Sequence, residues 1–222
     1  MTELIQGDCM EQLIRIPDNS VDLILCDPPY GIDYQSAWRI DKAKRKDKIV
    51  GDKETQTAFI VHLPRIVKNT GAVMIFTRWD VQQKVIDRMT AAGMKPRNVL
   101  IWDKVAHSMG DLRRAYGSRY ESIVFWSAPG FAFTSGRPTD ILRFARVPAA
   151  KLVHPNEKPI ELLRELIGRC TNEGDTVLDC YMGSGSTGVA AESLHRNFIG
   201  IEIDGKYYDI AKRRIMEGPD VT

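Results

Sequence analysis

Cysteine is scarce in this chain, and what there is lies scattered. Cys9, Cys26, Cys170 and Cys180 form no C-x-x-C pair and have no histidine at ligand spacing. That pattern excludes a disulfide framework and offers no zinc site, so the thiols read as reduced structural groups, no metal is expected and a cytoplasmic location is. Long apolar runs are missing too. No stretch approaches the roughly 20 residues that a membrane-spanning helix needs, and no membrane partner is expected. Residues 1–8 lack a basic region followed by an apolar core, so no signal peptide is expected. Net charge is nearly absent, at +2, and by itself announces no nucleic-acid partner. What remains is a chain of 222 residues with 43% hydrophobic and 27% charged content. Those totals describe a globular protein long enough for one domain with a sizeable core.

The small net charge is unevenly spread. Residues 39–48 carry six cations (Arg39, Lys42, Lys44, Arg45, Lys46 and Lys48) against two anions, which leaves the rest of the chain at −2. This basic loop suits a polyanion such as a nucleic acid, or is a solvated loop. A second candidate nucleic-acid surface holds His107, Arg113, Arg114 and Arg119 around Tyr116. Basic residues interleaved with an aromatic ring serve phosphate contact and support of an unstacked base.

Seven apolar, β-rich runs stand at 4–5, 21–26, 72–77, 99–102, 122–126, 176–178 and 197–203. Helical patterns over 54–68, 80–92, 158–170, 186–193 and 206–216 separate most of them. The alternation predicts an α/β fold with a mostly parallel sheet and helices on both faces. No clear helix lies between runs 99–102 and 122–126, so one of those two is expected to be antiparallel. Segment 129–153, rich in Pro, Gly, Ser and Arg, reads as a loop-like insertion with room for a short hairpin. Trp79, Trp102 and Trp126 lie within or beside the runs and are taken as core.

Two motifs carry the chemistry. The first is Asp27-Pro28-Pro29-Tyr30, directly after run 21–26. It places a carboxylate at the carboxyl end of a buried strand, where α/β enzymes keep their ligands, although a rigid turn would use the same prolines. The second opens with Thr176-Val177-Leu178-Asp179 and continues through a turn in which Gly183, Gly185 and Gly188 satisfy G-x-G-x-x-G. Such a turn lets main chain approach a ligand, and the free amides at the following helix start favour negative groups. Glu202 ends the next strand 19 positions after Gly183, close to the spacing at which an acid meets a nucleotide ribose. Taken alone, the glycine motif fits NAD, FAD or an adenosyl cofactor. A hydride-transfer enzyme has no evident use for the Asp-Pro-Pro-Tyr loop. Other residues keep two readings: Asp8 as cofactor ligand or helix cap, and Lys158 as cofactor contact or cap of the helix that Pro159 begins. His154 and His195 read as structural.

With both motifs in place, the chain resembles the DNA amino-methyltransferases that use S-adenosylmethionine, in the permuted (beta) group of the DNA methylase N-4/N-6 family. There the catalytic loop precedes the cofactor loop. Gly7-Asp8-Cys9, Asp27 to Tyr30, His154-Pro155-Asn156-Glu157-Lys158-Pro159, Asp179 to Gly188 and Phe198 to Asp204 follow that family's order over nearly the whole chain. The resemblance implies a Rossmann-like methyltransferase fold with a seven-stranded, mostly parallel sheet, one antiparallel strand and a circularly permuted motif order. It implies a single domain, 1–222, with a catalytic half (1–128), a short target-recognition insertion (129–153) and a cofactor half (154–222). Asp27, Pro28, Pro29 and Tyr30 would be catalytic. Asp8, Cys9, Lys158, Asp179, Tyr181, Met182, Gly183, Ser184, Gly185, Ser186, Thr187, Glu202 and Ile203 would hold S-adenosylmethionine.

The implied reaction is methylation of adenine N6 in double-stranded DNA after base flipping, with Tyr30 stacking on the extruded base. Asp27 in place of serine disfavours cytosine N4. An RNA adenine methyltransferase, or a non-catalytic regulatory subunit of the same fold, would carry the same motifs. The insertion is only 25 residues, so the target is short, or the basic loop shares recognition, or a second subunit of a homodimer completes the DNA clamp. The recognition sequence and any restriction endonuclease partner are not legible.

Overall fold

Run 21–26 is buried at all six positions, as a strand covered on both faces must be. Its one acid, Asp22, is satisfied there by the Lys68 ammonium at 2.8 Å and the Thr176 amide at 2.9 Å. The computed structural model describes residues 1–31, 55–107, 113–148, 150, 152 and 157–217. Along the chain it forms β1 (Thr2–Gln6), α1 (Cys9–Leu13), β2 (Val21–Cys26), a 3₁₀ segment (Ala58–His62), α2 (Leu63–Ile66), β3 (Val67–Thr77), α3 (Gln82–Ala91), β4 (Asn98–Asp103) and β5 (Tyr120–Ser127). It continues with β6 (Ile141–Arg143), α4 (Ile160–Cys170), β7 (Thr176–Asp179), α5 (Ser186–Ser193), β8 (Asn197–Glu202) and α6 (Gly205–Glu217).

All the strands join one sheet in the order β1-β8-β7-β2-β3-β5-β4-β6. β5 runs antiparallel to both its neighbours, β3 and β4, which is the break expected from the helix-poor stretch before it. The other pairings are parallel. Because β1, β8, β7 and β2 are parallel neighbours, their carboxyl ends share one sheet edge, and the residues after them converge there.

The strand count corrects the expectation of seven: the described residues form eight. The additional strand, β6, comes from the segment taken as a loop with a short hairpin. It pairs in parallel with β4, Ile101 opposite Ile141, and so extends the sheet. Three residues with only Leu142 buried give too little periodicity to be seen. The single helix expected over 54–68 is a second correction. Its described part is a 3₁₀ turn and one turn of helix with Pro64 near the start, and β3 takes over at Val67. Phe59, Ile60, Leu63 and Ile66 are nevertheless fully buried, so the apolar face was legible although its regular form was not.

Helices α4, α5 and α6 pack on one face of the sheet through Leu162, Leu166, Ile167, Val189, Ala190, Ala191, Ala211 and Ile215. The other face is covered by α1, the 3₁₀ segment, α2 and α3, through Leu13, Phe59, Leu63, Val85 and Met89. The small residues of α5 are required by this packing. A Cβ on Gly188 would fall 2.4 Å from Ile215 Cδ1 and 2.7 Å from Phe198 Cε1. Trp102 is buried and Trp126 half-buried, but Trp79 is 70% exposed, against its assignment to the core. It lies beyond the end of β3, where strand alternation no longer sets side-chain direction.

Candidate active site

Four strand ends build one cavity of about 220 Å³. Gly7, Asp8 and Cys9 come from the end of β1, Asp27 to Pro29 from β2, Asp179 to Ser184 from β7, and Glu202 to Asp204 from β8. Twelve of the thirteen residues expected to hold a cofactor line it: Asp8, Cys9, Lys158, Asp179, Tyr181, Met182, Gly183, Ser184, Ser186, Thr187, Glu202 and Ile203. The exception is Gly185, which is the N-cap of α5 at φ +83°. Its missing side chain admits α6, because a Cβ there would lie 2.9 Å from that of Ala211. Its contribution to the site is the turn itself.

Asp8 serves as helix cap, accepting from the Met10 amide at 2.7 Å, and also lines the cavity. Glu202 holds the glycine turn in place. One of its oxygens accepts from the Gly183 amide and the other from the Asp204 amide, each at 2.8 Å. Burial pushes its carboxyl up from the ordinary value. Asp179 accepts from Thr187 Oγ1 at 2.6 Å and from the Tyr181 amide at 3.0 Å. Burial drives its carboxyl up to about 7 against those two hydrogen bonds. No ion pair to it occurs among the described residues. Nearby, the Ser186 hydroxyl is buried and lacks a hydrogen-bond partner. Cys9 Sγ donates to Tyr181 Oη at 3.1 Å, and burial holds this thiol at about 11, as an unreactive wall group.

The Asp27 carboxylate is held from both sides. Tyr30 donates its hydroxyl to Oδ1, and Lys158 Nζ donates to Oδ2 at 2.5 Å. Tyr30 is buried and tied to Asp27 in this arrangement, rather than standing open as a stacking platform. Lys158 neither caps α4 nor faces the cavity alone. It is also 3.2 Å from Glu121 Oε2, while Lys104 Nζ takes Glu121 Oε1 at 2.5 Å. Burial pushes the Asp27 carboxyl up, and Lys158 opposes that. Glu121 is pushed up by burial as well, but Lys158 and Lys104 together bring it below its ordinary value. The physical sense is plain: Glu121 has two ammonium partners and Asp27 has one.

Glu121, Lys104, Met10, Gln56, Glu157, Asp204 and Tyr207 are functional candidates that sequence reasoning missed. Glu121 left a signal, as a lone acid beginning the apolar run Ser122-Ile123-Val124. Glu157 buttresses the site through Arg214 at 2.6 Å, whose guanidinium also donates to Ser184 O and Oγ. Among the nucleic-acid candidates, His107, Arg113 and Arg114 are exposed. Arg119 is instead engaged by Asp103 through paired contacts of 2.6 and 2.7 Å, which pull the Asp103 carboxyl down to about 2. Arg39, Lys42, Lys44, Arg45, Lys46 and Lys48 lie outside the described residues, as does His154. His195 sits at φ +60° in the turn after α5.

A carboxylate loop and a glycine turn on neighbouring parallel strands are joined by a sequence-level match. Residues 21–143 and 135–213 fit the family model described as N6/N4 DNA methylase. The chain belongs to this DNA methylase family. It is 31% identical over 225 residues to "Putative methylase YubD" of Escherichia coli (strain K12), covering 97% of this chain and 90% of that one. It is 26% identical over 266 residues to the type II methyltransferase M.BglII of Bacillus subtilis, covering 99% of this chain and 70% of that one.

Among solved structures, the M1.HpyAVI–SAM complex matches with TM-score 0.73 and 24% identity over 96% of this chain and 100% of that one. The cytosine-N4-specific PvuII DNA methyltransferase matches with TM-score 0.77 and 16% identity over 100% of this chain and 88% of that one. These two likenesses show the fold. No helix among the described residues of this methylase is long and apolar enough to cross a membrane.

Proposed function

We propose that this chain transfers a methyl group from S-adenosylmethionine to the N6 amino group of adenine in double-stranded DNA, after the base has left the duplex. The observation that carries this reading is the cavity itself, where Asp27 and the prolines after it meet the glycine turn and Glu202 at one sheet edge. The wall fits an adenosyl amino-acid cofactor. Asp179, whose carboxyl is buried and lacks an ion pair among the described residues, would receive its ammonium group, with the partnerless Ser186 hydroxyl close by. Glu202, fixed by two amides, would accept from ribose hydroxyls, and Asp8 and Cys9 would border the adenine. When bound, the cofactor supplies an electrophilic methyl group on a sulfonium.

The protein's task is the nucleophile. An exocyclic adenine nitrogen is weak because its lone pair is delocalised into the ring. Asp27 and the Pro28 carbonyl, each accepting one N–H, turn that lone pair out of the ring plane and favour the positive charge that develops on nitrogen. Two consecutive prolines keep the loop rigid and leave the second without an N–H to compete for acceptors. Each carboxylate oxygen has capacity for more than one donor, so Tyr30 and Lys158 leave Asp27 able to accept. The remaining acceleration comes from holding base and methyl donor in line.

Adenine is favoured over cytosine N4 because the first residue of the tetrapeptide is Asp27 and not serine. The order of motifs, with β1 and the Asp27 loop ahead of the glycine turn, supports the permuted group. The short insertion favours a homodimer as the unit that grips DNA, with the 39–48 loop and His107, Arg113 and Arg114 contacting phosphates. Expression in a methylation-deficient host followed by sequencing with detection of modified bases tests the proposal. N6-methyladenine at one recurrent sequence is expected; unmodified DNA, or methylated cytosine alone, contradicts it.

A further inference from the structure

Two carboxylates and one ammonium meet beneath the tetrapeptide, and the ammonium serves them unequally. Lys158 Nζ is 2.5 Å from Asp27 Oδ2 and 3.2 Å from Glu121 Oε2. Glu121 Oε1 is held by Lys104 at 2.5 Å, whereas the buried Oε2 has only the longer contact with Lys158, which is not a well-directed hydrogen bond. A buried carboxylate oxygen served by one long contact keeps acceptor capacity in reserve. We infer that Glu121 is a positioning residue, the acceptor onto which Lys158 shifts its hydrogen bond when the target amino group takes its place on Asp27. The inference rests on the amino-methylation reading above and adds to it how the acceptor oxygen is cleared.

Three features make the shift inexpensive and useful. The Lys158 ammonium lies over the rings of Phe76 at 5.0 Å and Trp102 at 6.0 Å. These rings form an apolar floor that tolerates a cation and offers it no competing hydrogen bond. A displacement of Nζ by a fraction of an ångström converts the 3.2 Å approach into a full charge-assisted bond, so the buried charge is never left unpaired. Lys104, itself 5.1 Å above the Trp102 ring, anchors the far oxygen of Glu121 and keeps the receiving one in place. The shift also draws a positive charge away from the nitrogen on which positive charge develops.

The charged and titratable groups facing Asp27 are Lys158 from the segment before α4, Glu121 from β5 and Tyr30 from its own loop. Behind these stand Lys104 on Glu121, Arg78 near Tyr30, and Asp179 at the end of β7. Removing the Glu121 charge therefore makes Asp27 easier to ionise while locking Lys158 onto it.

The test is Glu121→Gln, compared with wild type in single-turnover methylation of duplex DNA. The expected result is a rate about tenfold to a hundredfold lower, an acid limb moved to lower pH, and unchanged cofactor affinity. Glu121→Asp should recover part of the rate. In a Lys158→Met background the same Gln substitution should cost less than about threefold, because its partner is gone. A wild-type rate with an unmoved limb overturns the inference. So does an equal penalty in both backgrounds, the mark of a purely structural role beside Lys104. If wild type itself transfers no methyl group, the functional reading fails, and a crystal structure of Asp27→Asn decides the inference alone. Nζ moved onto Glu121 Oε2 supports it; Nζ still on residue 27, with Oε2 bare, overturns it.

Discussion

Asp179 and Asp27 follow one another across the sheet, at the ends of adjacent parallel strands, and both are largely buried, yet they are satisfied in opposite ways. Asp179 is held by its own neighbourhood, the Tyr181 amide and the Thr187 hydroxyl eight positions on. Asp27 is held by Lys158, 131 positions away. The first carboxyl has no cation partner among the described residues and is driven up to about 7 by burial, which suits the ammonium-binding role proposed for it. The second already has a cation, Lys158, whose hydrogen bond shifts towards Glu121 on the inference drawn above. On the proposed function, a cofactor half held by short-range hydrogen bonds therefore faces a base half held by charge.

The comparison can be broken most forcefully on the base side. Asp27→Ala is expected to lower single-turnover methylation by about a thousandfold or more while leaving cofactor affinity nearly intact; substantial residual transfer of labelled methyl groups would remove Asp27 from the mechanism. On the cofactor side, Glu202→Ala frees the Gly183 and Asp204 amides as well as a ligand acceptor. Cofactor affinity should fall about tenfold to a hundredfold, and an unchanged constant by calorimetry contradicts the role.

The titration of Asp179 sharpens the contrast further. Below about 7 its carboxyl is mostly protonated in the free protein, and pairing with an ammonium ion requires it to ionise. Binding should then release a proton, with affinity rising by at most about tenfold per pH unit up to neutrality and levelling above it. Calorimetry in buffers of different ionisation enthalpy reads this directly, and Asp179→Asn should flatten the profile; a pH-independent wild type contradicts it. The smallest effect is expected at Gly185→Ala, where φ is +83° and Ala211 is in contact. A stability loss of about 1–3 kcal/mol with near-normal turnover per folded molecule is predicted, and an unchanged Tm would show that the turn tolerates a side chain.

The same contrast explains what could be read from the chain. Asp179, the glycine turn and Glu202 are near one another in sequence, and their geometry follows from glycine and strand periodicity, so this half of the candidate site was legible. Asp27 was legible because two prolines mark it. The charge chain of Asp27, Lys158, Glu121 and Lys104 was not, since it draws on β2, the segment before α4, β5 and the end of β4, and only the sheet order brings these together. Lys158 accordingly reads in sequence as a cap or a cofactor contact, and nothing near it in the chain points to the two acids that are its principal partners. In the fold, long apolar periods fixed most elements. The misses were the short α1, the three-residue β6 and the 58–66 region, where a 3₁₀ turn precedes a single helical turn and periodicity does not distinguish the two from one helix.

The most direct test of the central claim is chemical analysis of the product. Purified protein, duplex DNA and methyl-labelled S-adenosylmethionine should yield, after digestion to nucleosides, label in N6-methyldeoxyadenosine, and the label should vanish with Asp27→Ala. Label in N4-methyldeoxycytidine, or no label from wild type that binds the cofactor, would contradict it.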